Sequence, residues 1–378
     1  GHGSSRQTIS PSYIQHGGTN IVTGATYVGY QAVHTQGVYR ATFLVDGGLY
    51  SCSNHIYNGT EDMTMGADMI VTNGGLVVVN AGKNVTLNHK NTHETNTLVL
   101  ASGGTIRCCT LHTGSSAFAY PAVAYFDGGI VQPIAVKDTT TYLRYFQHAY
   151  LGAEGLTFDL SHEHEYDGTV NRWMTIQQAL EPDPNLPEGV PDGGITFTGR
   201  GNIATWTNFE KGTFTGGIHV RNGARYVIAG DYAAPFAAEF APGTIASSWI
   251  ATNTIGSLTL GAAGATEPVT LEVRVDTAGA VGVVVSNALS ILSPVAVTTR
   301  GGQYDLDCVP RVGTYTALVY SASNADVDLS LFEVAHGTRF TMTTRQETIA
   351  GGALDGMKAV VVTFASAANA AGGGPVWT

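Results

Sequence analysis

The sequence predicts an all-β chain coiled as a parallel β-solenoid, and three observations carry that expectation. A small polar residue followed by Gly-Gly recurs at Asp46-Gly47-Gly48, Asn73-Gly74-Gly75, Ser102-Gly103-Gly104 and Asp127-Gly128-Gly129, and again at Asp192-Gly193-Gly194. The first four copies follow at intervals of 27, 29 and 25 residues (47 to 74, 74 to 103, 103 to 128). That is about one solenoid coil, a unit that buries its apolar face only by stacking on its neighbours. Each copy also lies between two strand-like apolar runs. Finally, only 12% of the 378 residues are charged while 43% are hydrophobic, and the apolar runs are rich in Val, Thr, Ile and Tyr with almost no helix-forming stretch.

The repeat assigns the elements in turn. Counting from the first Gly, the third position holds Tyr50, Val77, Ile106 and Val131, and the fifth holds Cys52, Val79, Cys108 and Pro133. These point inward. The fourth position holds Ser51, Val78, Arg107 and Gln132, mostly polar, as the period of two along a strand requires of an outward column. Phe43-Leu44-Val45, Ile70-Val71, Leu98-Val99-Leu100 and Tyr125-Phe126 precede the glycines and form a second strand of each coil. The Gly-Gly between the two strands is the corner, because Gly accepts positive φ and short polar side chains bond back to nearby backbone. Gly17-Gly18, 30 residues before Gly47, marks the start of the stack.

Along the chain, residues 1–150 carry the Gly-Gly coils. Residues 151–192 read as a strand, a polar loop (HEHEYDG), a short helix over Asn171 to Leu180 and a proline-rich insertion. A β repeat spans 193–255, a β-rich C-terminal continuation or cap spans 256–364, and 365–378 is an Ala/Gly-rich tail.

The stretch Gly193 to Val227 resembles the autotransporter-associated β-strand repeat of bacterial surface proteins. The matching residues are Gly193, Gly194, Thr198, Gly199, Gly201, Phe214, Thr215, Gly216, Gly217, Asn222 and Gly223. It departs from that pattern between Ile203 and Gly212, where IATWTNFEKG replaces the usual Leu-x-Leu-x-Gly strand. LGAEGLTFDLS, from Leu151, resembles the strand that often precedes such repeats, and GTYTALVYSASNADVDLSLFEV, from Gly313, the segment that often closes passenger regions. The resemblance implies a right-handed parallel β-helix exported to the cell surface or beyond. It implies no single activity, since the repeat is scaffold.

Composition bounds the partners. The net charge is −11, from 18 Lys plus Arg against 29 Asp plus Glu, with no basic cluster. Like charge therefore disfavours nucleic acid, anionic lipid and strongly anionic polysaccharide. Neutral glycans, cations and proteins remain. Cys52 and Cys108 share a column with Val79 between them, so they lie about 9 to 10 Å apart, too far for a disulfide. Both read as small core residues. Cys109, next to Cys108, is expected on the opposite face. No run of about 18 apolar residues is present to span a membrane as a helix. A secreted or surface location is expected, with any export signal removed before Gly1.

Three clusters offer chemistry. His162 and His164 share a strand face with Asp159 or Asp167 nearby, a zinc- or calcium-type ligand set; the alternative is a solvated polar loop with no cofactor. Asp159, Glu163, Glu165 and Asp167 offer the paired carboxylates of a glycosidase, although they are contiguous rather than spread over successive coils. Tyr142, Arg144, Phe146 and His148 alternate onto one face, against Leu143, Tyr145 and Gln147 on the other, and would form a stacking platform for a neutral glycan; ordinary edge packing gives the same pattern. The expected function is a structural or adhesive surface stalk that presents loops such as Ser161 to Asp192 to a protein or neutral glycan. The alternative is a polysaccharide-active hydrolase or lyase, or a glycan-binding module, using residues 142–167.

Overall fold

The computed structural model describes residues 12–30, 39–60, 65–88, 95–114, 121–134, 139–162, 173–205, 211–228, 233–248, 254–275, 281–301, 309–335 and 339–367. Strands account for 59% of it and helix for 2%. The chain divides into two compact units, Gly1–Ala229 with Pro235–Glu239, and Gly230–Ala234 with Phe240–Thr378.

The first unit is a parallel β-solenoid whose coils lay down three strands, one in each of three sheets, except the last, which has strands in two. Sheet A contains Ser12–Gln15, Tyr39–Asp46, Met65–Thr72, Asn96–Ala101, Ala122–Asp127, His148–Leu151 and Glu181–Pro182. Sheet B contains Thr19–Val22, Leu49–Cys52, Leu76–Val79, Thr105–Cys108, Gly129–Pro133, Leu156–Asp159, Ile195–Thr198 and Ile218–Val220. Sheet C contains Thr26–Tyr30, Ile56–Thr60, Asn84–Leu87, Thr110–Thr113, Thr139–Arg144, Trp173–Ile176, Asn202–Thr205 and Arg225–Ile228. The inward columns have the register expected from the repeat. Tyr50 pairs with Val77, Val77 with Ile106 and Ile106 with Val131; Cys52 pairs with Val79, and Cys108 with Pro133. Gly17-Gly18 likewise leads into Thr19–Val22, with Asn20 beside Tyr50 and Val22 beside Cys52.

The Gly-Gly corner joins sheet A to sheet B, and its chemistry is local. Asn73 and Ser102 both hold φ 49, with Gly74 at φ 70 and Gly103 at φ 73, a left-handed pair that small polar residues and Gly tolerate. The second Gly is needed for space: a Cβ on Gly104 would sit 2.2 Å from the Val71 carbonyl oxygen, and one on Gly75 2.5 Å from that of Val45. The corners also bond coil to coil, with the Gly103 N–H donating to the Gly128 C=O at 2.8 Å.

Inside, aromatic rings stack along the axis: Phe158 lies 5.5 Å from Phe197, and Phe197 lies 5.1 Å from Tyr226. Asn58 and Asn96, both buried, satisfy backbone where sheet C turns toward sheet A. The Ala67 N–H donates to Asn96 Oδ1 at 2.8 Å, and Asn58 Nδ2 donates to the Ala67 C=O at 3.3 Å.

Three expectations are corrected. Each coil has a third strand, in sheet C, where two were read. The helix expected over Asn171 to Leu180 is absent from its described part: Trp173–Ile176 is a sheet C strand, with Met174 beside Ile203 and Ile176 beside Thr205, and Met174 and Ile176 are fully buried. Tertiary pairing outweighs the weak helical preference of a four-residue segment. Cys109 is buried as well as Cys108, because it occupies the corner between Thr105–Cys108 and Thr110–Thr113 rather than continuing the strand. Cys308 lies outside the described residues.

In the second unit Ile245–Ser248, Val269–Arg274, Val295–Arg300 and Phe332–Val334 pair in parallel, in that order. Thr254–Leu260, Val281–Val285 and Gly313–Tyr320 also pair in parallel. Lys358–Ser366 then adds antiparallel to Gly313–Tyr320, and Phe340–Thr348 antiparallel to Lys358–Ser366. Buried Val284, Val319, Ala359 and Val361 form a core cluster there, packed by Val281, Ile349, Leu354 and Met357. The strand through Ser366 extends into the segment expected as a tail; residues 368–378 lie outside the described residues.

Candidate functional site

Two of the residues singled out in the sequence, Asp159 and His162, come together on the outer face of sheet B. The outward column runs Ser51, Val78, Arg107 and Gln132 in register. Farther along the same face Asp159 pairs with Thr198. Arg107 Nε donates to Gln132 Oε1 at 2.9 Å, and Gln132 Nε2 donates to Asp159 Oδ2 at 2.9 Å. Buried Leu160 anchors the 3-10 turn Leu160–His162, which swings the chain back so that His162 Nε2 lies 3.1 Å from Arg107 Nη2. Ser161 donates to Asp159 Oδ1 through its backbone N–H at 3.1 Å and also through its hydroxyl.

Partial burial on its own would raise the Asp159 carboxyl. The donors from Ser161 and Gln132, with His162 nearby, outweigh it and hold the group below its ordinary value of 3.8. The carboxylate is thus ionised and engaged, the opposite of a proton-holding general acid. A guanidinium beside His162 opposes a cation there, and among the described residues no group of three His, Cys, Asp or Glu is placed to hold a metal. Glu163, His164, Glu165 and Asp167 lie outside the described residues.

The expected aromatic platform is dispersed. Tyr142 is fully buried and Phe146 nearly so. Burial raises the Tyr142 phenol well above its ordinary value, and its Oη sits 3.5 Å from Cys108 Sγ, itself pushed by burial up to about 12. Arg144 is half-buried in sheet C, with its Cζ 4.9 Å over the Tyr145 ring. His148 belongs to sheet A, where it stacks on Tyr150 at 5.3 Å and contacts Glu181 at 3.2 Å. The period of two fails in this stretch for two reasons: the register shifts between Thr141 and Leu143, and Tyr145 is left-handed at φ 69.

Other polar groups were missed. On sheet A, Arg40 makes a two-pronged contact with Asp68 and also reaches Thr97 Oγ1 at 2.7 Å. At a corner, Asp46 accepts from Asn73 and contacts His16 at 2.8 Å, and these two hydrogen bonds hold its carboxyl below its ordinary value. Asp192, buried, accepts from the backbone N–H of Gly194, Thr215 and Gly216 and from the Thr215 hydroxyl. That clamp explains why Asp-Gly-Gly and Thr-Gly-Gly recur one coil apart: the carboxylate of one corner is the acceptor for the next. A signal existed for Arg107 and Gln132, which already stood in the aligned outward column. For Arg40 and Asp68 there was none, since Arg40 lies seven residues before Gly47 and Asp68 six before Gly74, so they fall in different columns, and Arg40 pairs with Gly66.

Set against protein-family models, curated proteins and solved structures, the chain matches none of them.

Proposed function

We propose that this chain is a structural or adhesive solenoid of the bacterial surface type, a stiff scaffold that presents its inter-strand loops to a protein or neutral glycan outside the cell. One observation supports this reading above the others. The outer polar side chains of the first unit are engaged along the stack, coil to coil, as in Arg40–Asp68–Thr97, Arg107–Gln132–Asp159 and His148–Glu181. Groups tied into such ladders stiffen a shaft. A catalytic acid pair needs instead one carboxyl held protonated. The resemblance of Gly193 to Val227 to the autotransporter-associated repeat favours the same reading and adds export. Among the described residues no helix is long and apolar enough to cross a membrane.

The test is a binding screen with a built-in control for catalysis. Beads carrying the chain are presented to a neutral-glycan array and to extracellular-matrix proteins, and the same glycans are incubated with soluble chain. Retention without product supports the scaffold reading; release of reducing or unsaturated ends sinks it. A second reading, glycan binding by sheet A, draws on Tyr125 and Tyr150, whose rings lie 5.3 Å apart on adjacent coils next to His148.

A further inference from the structure

The nine-residue strand Phe340–Thr348 ends its sheet. One edge pairs along its full length with Lys358–Ser366, and among the described residues no strand pairs with the other edge. Its flanks show which residues face which way. The Ala367 N–H donates to the Arg339 C=O at 3.0 Å, and the Ile349 N–H to the Met357 C=O at 2.8 Å. Odd-numbered residues therefore bond to the neighbouring strand. In a regular antiparallel ladder the even-numbered ones, Phe340, Met342, Thr344, Gln346 and Thr348, turn their N–H and C=O to the open edge.

Open edges template strand addition unless they are shortened, bulged, broken by proline or guarded by charge. This strand is long, keeps an unshifted register with its neighbour and contains no proline. Its two charges, Arg345 and Glu347, are opposite in sign, and their side chains meet at 3.0 Å on the exposed face.

Their spacing selects the partner. When an antiparallel copy of the same strand is laid along the open edge with Gln346 on the two-fold axis, Arg345 of each copy faces Glu347 of the other. Those are non-hydrogen-bonded positions, where opposed side chains approach most closely. The same alignment bonds Gln346 to Gln346 and Thr344 to Thr348 through the main chain. Centring on Thr344 would face Arg345 with Thr343, and a parallel in-register copy would set Arg345 against Arg345. We propose that this edge is a self-association site, closing a two-fold dimer by strand addition with Gln346 at its centre.

Sedimentation equilibrium of the whole chain tests it, with circular dichroism as the control for folding. The wild type should dimerise. Arg345→Glu and Glu347→Arg, each of which sets like charges face to face twice, should each weaken the dimer by about tenfold or more, and the double exchange should return it to within about threefold. Thr344→Pro removes an edge-facing N–H while sparing the bonds to Lys358–Ser366, and should give monomer. A monomeric wild type, or a dimer indifferent to both single exchanges, overturns the proposal. Neither result bears on the adhesive reading, which rests on the first unit.

Discussion

From Ser12 to Thr205 the first unit repeats one course: a sheet A strand, a glycine-containing corner, a sheet B strand and a sheet C strand, each coil in parallel register with the next, and the last coil keeps only Ile218–Val220 in sheet B and Arg225–Ile228 in sheet C. The second unit starts with parallel pairs of the same kind, but Gly313–Tyr320 takes Lys358–Ser366 in the opposite direction, and Phe340–Thr348 follows antiparallel. The difference shows what parallel stacking of coils needs and what a reversal of strand direction leaves behind. Growth needs corners so tight that each coil's backbone rests on the last, as at Gly104 over Val71. Within the second unit the reversal of strand direction ends the run of parallel pairs and leaves one edge of Phe340–Thr348 without a strand partner among the described residues.

The sharpest way to break this contrast is to widen a corner. Gly104→Ala places a Cβ 2.2 Å from backbone that has no room to yield, so denaturant unfolding should show a loss of about 4 kcal/mol. A loss below about 1 kcal/mol would mean that the corners do not set the stacking distance. Ile106→Ala removes a fully buried member of the inward column and should cost about 3 kcal/mol by the same measurement. In the second unit Gly264, at φ +78 with nothing within 4 Å of an added Cβ, reports conformation alone. Gly264→Ala should cost only about 1 kcal/mol; a cost equal to that at Gly104 would mean that crowding at the Gly104 corner adds nothing to the conformational penalty.

The smallest effect is electrostatic. Because the Asp159 carboxyl is depressed in the folded state below its ordinary 3.8, its contribution is present above that value and is lost as pH falls through the folded one. Wild type should therefore exceed Asp159→Asn in stability near neutrality by less than about 1 kcal/mol, given its solvent exposure. The gap should close in acid, below about pH 4. A gap that widens in acid would reverse the assigned direction.

Much of the stack was legible because its corner chemistry is concentrated in one short pattern, a small polar residue followed by Gly-Gly. Asn73-Gly74-Gly75 and Ser102-Gly103-Gly104 announce their backbone conformation, and counting from them recovers the true register of Tyr50, Val77, Ile106 and Val131. Sheet C was not legible. Its strands, such as Ile56–Thr60 and Thr110–Thr113, follow turns with no repeated residue to count from, whereas sheet B strands of equal length, such as Leu49–Cys52 and Leu76–Val79, each follow a Gly-Gly pair. Trp173–Ile176 was hidden inside a ten-residue window of helical composition, and only its neighbours Thr139–Arg144 and Asn202–Thr205 make it a strand. The candidate site divides in the same way. Asp159 and His162 meet because a 3-10 turn folds back over Arg107, whereas Tyr142 and His148 part because a register shift and a left-handed Tyr145 intervene.

Cross-linking across sheet A tests the stacking itself. Leu44 faces Ile70, and Ile70 faces Val99, on consecutive coils, so their Cα atoms lie about 4.8 Å apart for neighbouring coils and about 9.6 Å apart for alternate ones. Mild oxidation of the Leu44→Cys/Ile70→Cys variant should give the 44–70 disulfide by peptide mass mapping, and the Leu44→Cys/Val99→Cys variant should give none. A bridge between 44 and 99, or none between 44 and 70, would contradict the coil order on which the whole account stands.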